Sequence, residues 1–310
     1  MINILFAAKP ANWASYEAPL RRALDATGLD YALTTDGSDP ASIDYLIYAP
    51  SGPISDFTPF TNAKAVLGLW AGVEGITGNK TLTIPLTRMV DHGLTEGMVE
   101  WVVGHTLRHH LGMDQHILGQ DGEWRDFVPP LARDRTVAVL GLGALGSACA
   151  TALAALNFNV IGWSRREKAL DGVTCHFGDD GLDKTLSQAE ILILLLPLTA
   201  GTKNLLNAQR LSQMPRGAAI INPGRGPLID DDALLSALET GQISHATLDV
   251  FRVEPLPADH PYWAHPSVTV TPHIASETRP DTASQVIAEN IRRNEAGEPL
   301  LHVVDRSEGY

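Results

Sequence analysis

Three glycines in the run Val137-Ala-Val-Leu-Gly141-Leu-Gly143-Ala-Leu-Gly146 have the spacing G-x-G-x-x-G. The chemistry open to such a run is the binding of a dinucleotide pyrophosphate. Gly141 permits a tight turn, Gly143 lets the anion approach the backbone, and Gly146 lets a helix pack closely on a strand. The pyrophosphate would sit on the helix start at Ala144 and Leu145, where unpaired N–H groups and the helix dipole favour negative charge. About twenty residues on, an NAD-type site places an acid for the ribose hydroxyls. This chain has Gly162-Trp-Ser164-Arg165-Arg166 there, with no carboxylate before Glu167. Ser164 can hydrogen-bond a 2′-phosphate, and Arg165, with Arg166 beside it, can pair with that phosphate or stack on adenine. NADPH is therefore favoured and NADH remains possible. A solvated arginine pair on a loop is the ordinary alternative, and it leaves the missing acid unexplained.

Further along stand residue types that hold anions and move protons. Asn222-Pro223-Gly-Arg225-Gly, Asp249-Val-Phe-Arg-Val-Glu254-Pro-Leu-Pro and Val270-Thr-Pro-His273-Ile-Ala each follow a short apolar run. Singly, Arg225 reads as a surface charge, Glu254 as a loop carboxylate and His273 as a structural histidine. Together, at the carboxyl ends of strands, they can converge on one crevice of an open α/β sheet.

The elements that must position these residues follow from apolar periodicity. Ile2–Ala7, Asp44–Tyr48 and Ala65–Leu69 read as buried strands, and Trp13–Ala26 as a helix. Asp91 to Ile117 reads as one long helix with Met98, Trp101, Val102, His105, Leu107 and Leu111 as its buried positions. Thr136–Gly141, Phe158–Trp163, Val173–Phe177, Ile191–Pro197, Ala218–Asn222, Ala246–Val250 and Val268–Thr271 are of strand length. Helical patterns at Ala144–Leu156, Ala208–Met214 and Asp231–Thr240 alternate with them, which indicates βαβ units and a parallel sheet. Arg279–Ala296 is a last amphipathic helix, with Gly297 as its stop signal.

The length of 310 residues suggests two domains. The net charge of −13 argues against nucleic acid or an anionic membrane as partner, without excluding a small anionic substrate. The two cysteines, Cys149 and Cys175, have neither metal-ligand nor redox spacing, and both are expected to be buried. No metal site is expected. No secretory leader is visible, and the longest strongly apolar stretch, Ile191–Leu196, is too short to span a bilayer. A cytoplasmic location is expected.

The chain resembles the D-isomer-specific 2-hydroxyacid dehydrogenase family. The residues carrying the resemblance are Gly141–Gly146, Leu195-Leu-Pro197-Leu-Thr199, Asn222–Gly226, Asp249–Pro257 and Pro272–Ala275, with Trp70-Ala-Gly72-Val73-Glu, Trp163-Ser-Arg165 and Gly309-Tyr310 in support. It covers nearly the whole chain. It implies two Rossmann-like α/β domains, each a doubly wound parallel sheet. A flavodoxin-like substrate domain (residues 1–99 and 280–310) would be interrupted by an NADP-binding domain (100–279). It implies reduction of a small 2-keto acid such as glyoxylate or hydroxypyruvate, with His273 as general acid, Glu254 bonded to its other ring nitrogen, and Arg225 holding the carboxylate and polarising the carbonyl. Gly72 and Val73 would bind the carboxylate through backbone N–H groups, and Trp70 and Arg88 would line the pocket. Pro197, Thr199, Pro223 and Asp249 would border the cofactor, and Asp249 could equally be structural. A homodimer, and closure of the domains over substrate, are also implied. Another substrate preference within the family, or a catalytically silent NADP sensor, are the competing readings.

Overall fold

The computed structural model describes residues 1–309; Tyr310 lies outside the described residues. The chain divides into two compact units, Met1–Leu94 with Glu277 onward, and Thr95–Ser276.

The first unit is built on β1 (Ile2–Ala7), β2 (Tyr31–Thr34), β3 (Tyr45–Tyr48), β4 (Ala65–Gly68) and β5 (Leu86–Thr87). They form one parallel sheet in the order β2-β1-β3-β4-β5, the flavodoxin-like order. β3 and β4 are buried along their whole length, as continuous apolar runs in a parallel sheet must be. Helix α1 (Trp13–Asp25) buries Tyr16, Leu20 and Leu24 on the sheet, each four residues after the last. The same core receives Ala283, Ile287 and Ile291 from the chain's last helix (Pro280–Glu295), so the first unit is completed by the end of the chain. That helix stops at Gly297, whose φ of +73° suits the left-handed residue after a helix.

The second unit holds β6 (Thr136–Leu140), β7 (Asn159–Ser164), β8 (Val173–Phe177), β9 (Ile191–Leu194), β10 (Ala218–Asn222), β11 (Ile243–Leu248) and β12 (Val268–Val270). Its parallel sheet runs β12-β11-β10-β9-β6-β7-β8, and the order reverses between β6 and β9. Side chains alternate faces with the period of two. Ala138 and Leu140 join one buried cluster with Leu192 and Leu194; Val137 and Val139 join another with Ile191 and Ile193. Helices cover both faces: α2 (His92–His110), α3 (Met113–Leu118), α4 (Ala144–Ala155), α5 (Gly178–Leu186), α6 (Ala208–Gln213) and α7 (Asp231–Glu239), so that the last helix is α8.

Several expectations are corrected. The long helix at 91–117 is two helices, broken where Gly112 takes φ +61°. Past the break Leu111 is 36% exposed rather than buried, whereas Met98 and Val102 are buried and Trp101, His105 and Leu107 partly so. β11 starts three residues early, where Ile243 and His245 pair with Ala218 and Ala219 of β10, and the Thr269 hydroxyl of β12 satisfies His245 Nε2 at 2.9 Å. β2 and β5 were not foreseen, being short edge strands. Nor was α5, whose start Gly178-Asp-Asp reads as a turn. Cys149 is buried, but Cys175 is only partly so.

Candidate active site

In the second unit the glycine run lies at the point where strand order reverses, which is where open α/β sheets take ligands. Gly141 turns the chain out of β6 with φ +104°, and a Cβ there would lie 2.5 Å from the Leu195 carbonyl oxygen beside β9. At Gly146 a Cβ would lie 1.8 Å from the Gly141 carbonyl oxygen, so helix α4 can pack only on a glycine. Gly143 differs from both: a Cβ there would meet nothing within 4 Å. The bare backbone at Gly143 therefore serves no packing need and leaves room for a ligand. Gly143 also starts α4 without a side-chain cap, so the N–H groups at Ala144 and Leu145 are offered to an anion. These residues fit a pyrophosphate.

At the end of β7 Arg165 and Arg166 are exposed. Ser164 is buried, and its hydroxyl donates to the Arg166 carbonyl at 2.6 Å. As placed, Ser164 folds the turn that presents the two arginines. Beyond β9, the Thr202 hydroxyl donates to the Pro197 carbonyl at 2.7 Å and accepts from the Thr199 N–H at 2.8 Å, which fixes the Pro197–Thr199 loop.

Three strand ends carry the expected reactive set. After β10, fully buried Asn222 folds the Pro223–Arg225 turn. Its Nδ2 donates to the Arg225 carbonyl at 3.0 Å, and its Oδ1 accepts from the Gly224 N–H at 3.1 Å. After β11 comes Glu254, whose Oε1 accepts from the Phe251 N–H at 2.8 Å. Its Oε2 lies 2.7 Å from Nδ1 of His273, which follows β12. A carboxylate can only accept, so it sets the Nδ1–H tautomer and orients the ring, which leaves Nε2 to exchange a proton. The His273 side chain is 51% exposed and open to a reactant.

His273 takes φ +54°, a left-handed conformation uncommon for a residue with a Cβ. Asp249 holds it there. The Asp249 side chain is fully buried and accepts from the Thr271 hydroxyl at 2.6 Å and from the N–H groups of Ile274 and Ala275, each at 2.9 Å. The Asp249 carbonyl accepts from the His273 N–H at 2.8 Å. Its carboxylate is thus spent on the histidine turn. The sequence left Asp249 between a cofactor contact and a structural role without naming this task, and held no sign of that of Asn222; no local spacing signals either one.

In the first unit Trp70, Gly72 and Val73 follow β4, and Arg88 follows β5. The Met89 N–H donates to the Trp70 carbonyl at 2.9 Å and joins the two loops. Trp70 is 44% exposed. Among the described residues, neither the Gly72 nor the Val73 N–H has an acceptor. Two adjacent bare amides at a strand's carboxyl end are suited to a carboxylate. Burial pulls the Arg88 guanidinium below its ordinary pKa.

Residues 101–275 match the family described as D-isomer specific 2-hydroxyacid dehydrogenase, NAD binding domain. Among curated relatives, glyoxylate/hydroxypyruvate reductase A of Serratia proteamaculans is 42% identical over 255 residues, covering 80% of this chain and 82% of that protein. A D-isomer specific 2-hydroxyacid dehydrogenase from Xanthobacter autotrophicus Py2, solved in complex with NADPH and MES, superposes with a TM-score of 0.92 at 41% identity over 99% of both chains. The NADPH-dependent glyoxylate/hydroxypyruvate reductase of Sinorhizobium meliloti, solved with NADP and sulfate, gives a TM-score of 0.88 at 33% identity over 100% of both chains. With the His–Glu pair and glycine cradle in place, these matches lead to one conclusion: the chain belongs to the D-isomer specific 2-hydroxyacid dehydrogenase family, as an NAD(P)-dependent oxidoreductase.

Proposed function

We propose that this enzyme reduces small 2-keto acids, glyoxylate and hydroxypyruvate foremost, at the expense of NADPH. The observation that carries the proposal is the 2.7 Å contact between His273 Nδ1 and Glu254, on the sheet edge that also bears Arg225. It is supported by relatives that bear the reductase name and by NADP-bound neighbours. Gly141, Gly143, Ala144, Leu145 and Gly146 cradle the pyrophosphate, Arg165 and Arg166 read the 2′-phosphate, and Pro197, Thr199 and Pro223 border the cofactor. NADH, which lacks that phosphate, is the poorer donor. When bound, the reduced nicotinamide supplies a hydride to the carbonyl carbon. His273 gives the Nε2 proton to the carbonyl oxygen as charge develops there, while Glu254 stabilises the imidazolium. Arg225 holds the carboxylate and polarises the carbonyl with its two-pronged guanidinium. Asp249 serves through His273, by fixing its turn. The first unit offers a carboxylate the bare amides of Gly72 and Val73, with Trp70 and Arg88 alongside.

The active form we propose is a homodimer in the cytoplasm. Between α2 and β6, Ile117, Leu118, Trp124, Val128 and Leu131 are each at least 64% exposed, an apolar band that a second copy would cover. Among the described residues no helix is long and apolar enough to cross a membrane.

The deciding experiment measures kcat/KM for glyoxylate, hydroxypyruvate and pyruvate with NADPH and with NADH, following nicotinamide absorbance. Turnover of the first two with NADPH is expected. Failure of every keto acid with both cofactors refutes the proposal.

A further inference from the structure

Arg252 lies between Phe251 and Glu254, yet the proton path just described does not use it. Its guanidinium is tied at three points. Nε donates to Asp231 Oδ2 at 2.9 Å, and Nη2 donates to Asn204 Oδ1 and to the Ile229 carbonyl. Two of the three partners belong to the other loop of the site, the one that begins at Arg225, and Asn204 lies on the segment before α6 that is bonded to it. Ile229 and Asp231 continue that segment, and the Asn204 N–H donates to the Pro227 carbonyl at 2.8 Å. Asp231 is itself steadied by the Tyr262 hydroxyl at 3.0 Å. Beside the clamp the two loops approach closely through backbone: a Cβ on Gly226 would lie 2.1 Å from the Phe251 carbonyl carbon. The clamp borders a cavity of about 190 Å³ that Arg252 and Asp231 line together with Leu248, Val250 and Tyr262. Phe251 and Leu256 pack in the core, while Arg252, Val253 and Glu254 between them are exposed, so Arg252 ties the stretch that core packing does not reach.

We infer that Arg252 is a positioning residue, which locks the Glu254 loop onto the Arg225 loop and so keeps Glu254 in register with His273. The inference rests on the keto-acid reductase reading for its consequence in catalysis. The residue type suits the task. A guanidinium carries five donors in a rigid fork and can satisfy three acceptors in fixed directions; a lysine ammonium cannot reproduce that geometry. A clamp of this kind costs little in cofactor affinity when lost, because the glycine cradle and the arginines at β7 lie on other loops. It costs turnover, since misplacement of a reacting group by about 1 Å can lower rate by roughly 100-fold.

The test compares wild type, Arg252→Ala and Arg252→Lys in kcat, in NADPH affinity by fluorescence, and in the ¹⁵N resonances of the His273 ring. We expect Arg252→Ala to lose roughly 10–100-fold in kcat, with NADPH affinity within about twofold of wild type and a His273 Nδ1 resonance moved toward that of a water-exposed ring. Arg252→Lys should recover only part of the rate. Millimolar guanidinium, entering the open cleft of about 350 Å³ beside Asn204, Asp231 and His260, should restore part of the kcat of Arg252→Ala and leave wild type unchanged. Should Arg252→Ala fail to fold, Asp231→Asn takes its place, with the same expected direction. Wild-type kcat in either variant, equal losses in kcat and NADPH affinity, or an unmoved His273 resonance overturns the inference. The resonance needs no turnover. A wild type inactive on every keto acid, with a His273 signal that still moves in Arg252→Ala, would sink the reductase reading and leave the clamp standing.

Discussion

Lowering the pH from about 7 to about 5 should weaken the second unit at the contact between α2 and β11, where two histidines are held neutral. The His109 and His245 rings lie 5.1 Å apart, and His109 Nε2 meets the Thr247 hydroxyl at 2.9 Å. Burial pulls His109 down to about 3 and His245 down to about 4, with Arg108 nearby adding to both. In the unfolded chain each returns to about 6.5. Because the folded values lie below the unfolded one, the unfolded state binds protons first. The stability these rings contribute is intact above about pH 6.5 and falls away below it. At pH 5 an unfolded histidine sits about 1.5 units below its pKa, so at about 1.4 kcal/mol per unit each site loses about 2 kcal/mol, and the pair about 4 kcal/mol. Both rings keep some contact with water, which makes that an upper figure. Against a domain stability of roughly 5–15 kcal/mol it is large. Asp114, held low by its bond to Arg108, loses stability only as pH falls below the ordinary aspartate range, outside this window. The assay is urea unfolding at both pH values for wild type and for His109→Gln with His245→Gln, whose amides keep hydrogen-bonding capacity without titrating. Wild type should lose several kcal/mol more than the double variant between the two pH values. Equal losses would refute the reasoning and place acid sensitivity elsewhere.

Three further outcomes follow from the site. His273→Asn should lower kcat by about 10²–10⁴-fold while NADPH affinity stays nearly intact; near-normal turnover would remove the acid role from His273. Arg165→Ala should raise KM for NADPH far more than for NADH, and equal effects would show that Arg165 does not read the 2′-phosphate. Gly143→Ala, which meets nothing within 4 Å, should leave urea stability within about 0.5 kcal/mol of wild type but weaken NADPH binding. Gly146→Ala, which meets a backbone oxygen, should destabilise the unit by at least about 1–3 kcal/mol. Parallel changes in both variants would mean that Gly143 is a packing glycine after all.

What the sequence made legible was whatever depends on short-range pattern. β1 and β10 emerge with their expected bounds, because a largely buried strand is a continuous apolar run, and the edge strand β8 also keeps its expected bounds. The glycine run and the strand ends at Arg225, Glu254 and His273 are equally local signals. The break at Gly112 was missed because the apolar residues on either side keep a helical rhythm, and only a positive φ interrupts it. Leu111 reads as helix core for the same reason: periodicity reports which residues are apolar and says nothing of what covers them.

The least legible layer is the one that turns a set of strand ends into a site. Arg252 reaches partners 21 and 48 positions away, Glu254 reaches His273 over 19, and Asp249 reaches Ala275 over 26. No one-dimensional spacing encodes those distances, since they depend on which strands the parallel sheet sets side by side. The order β12-β11-β10 brings the three loops together, and polar side chains, buried at Asp249 and exposed at Arg252 and Glu254, then lock them to one another. Asp249 shows why this matters for reading such a motif. Its place in the run Asp249–Pro257 suggests a cofactor contact, but a fully buried carboxylate that accepts from one hydroxyl and two N–H groups of the His273 turn has little capacity left for a ligand. An acid in a motif can be required because it holds the residue that reacts, and here the left-handed backbone of His273 is the conformation being held.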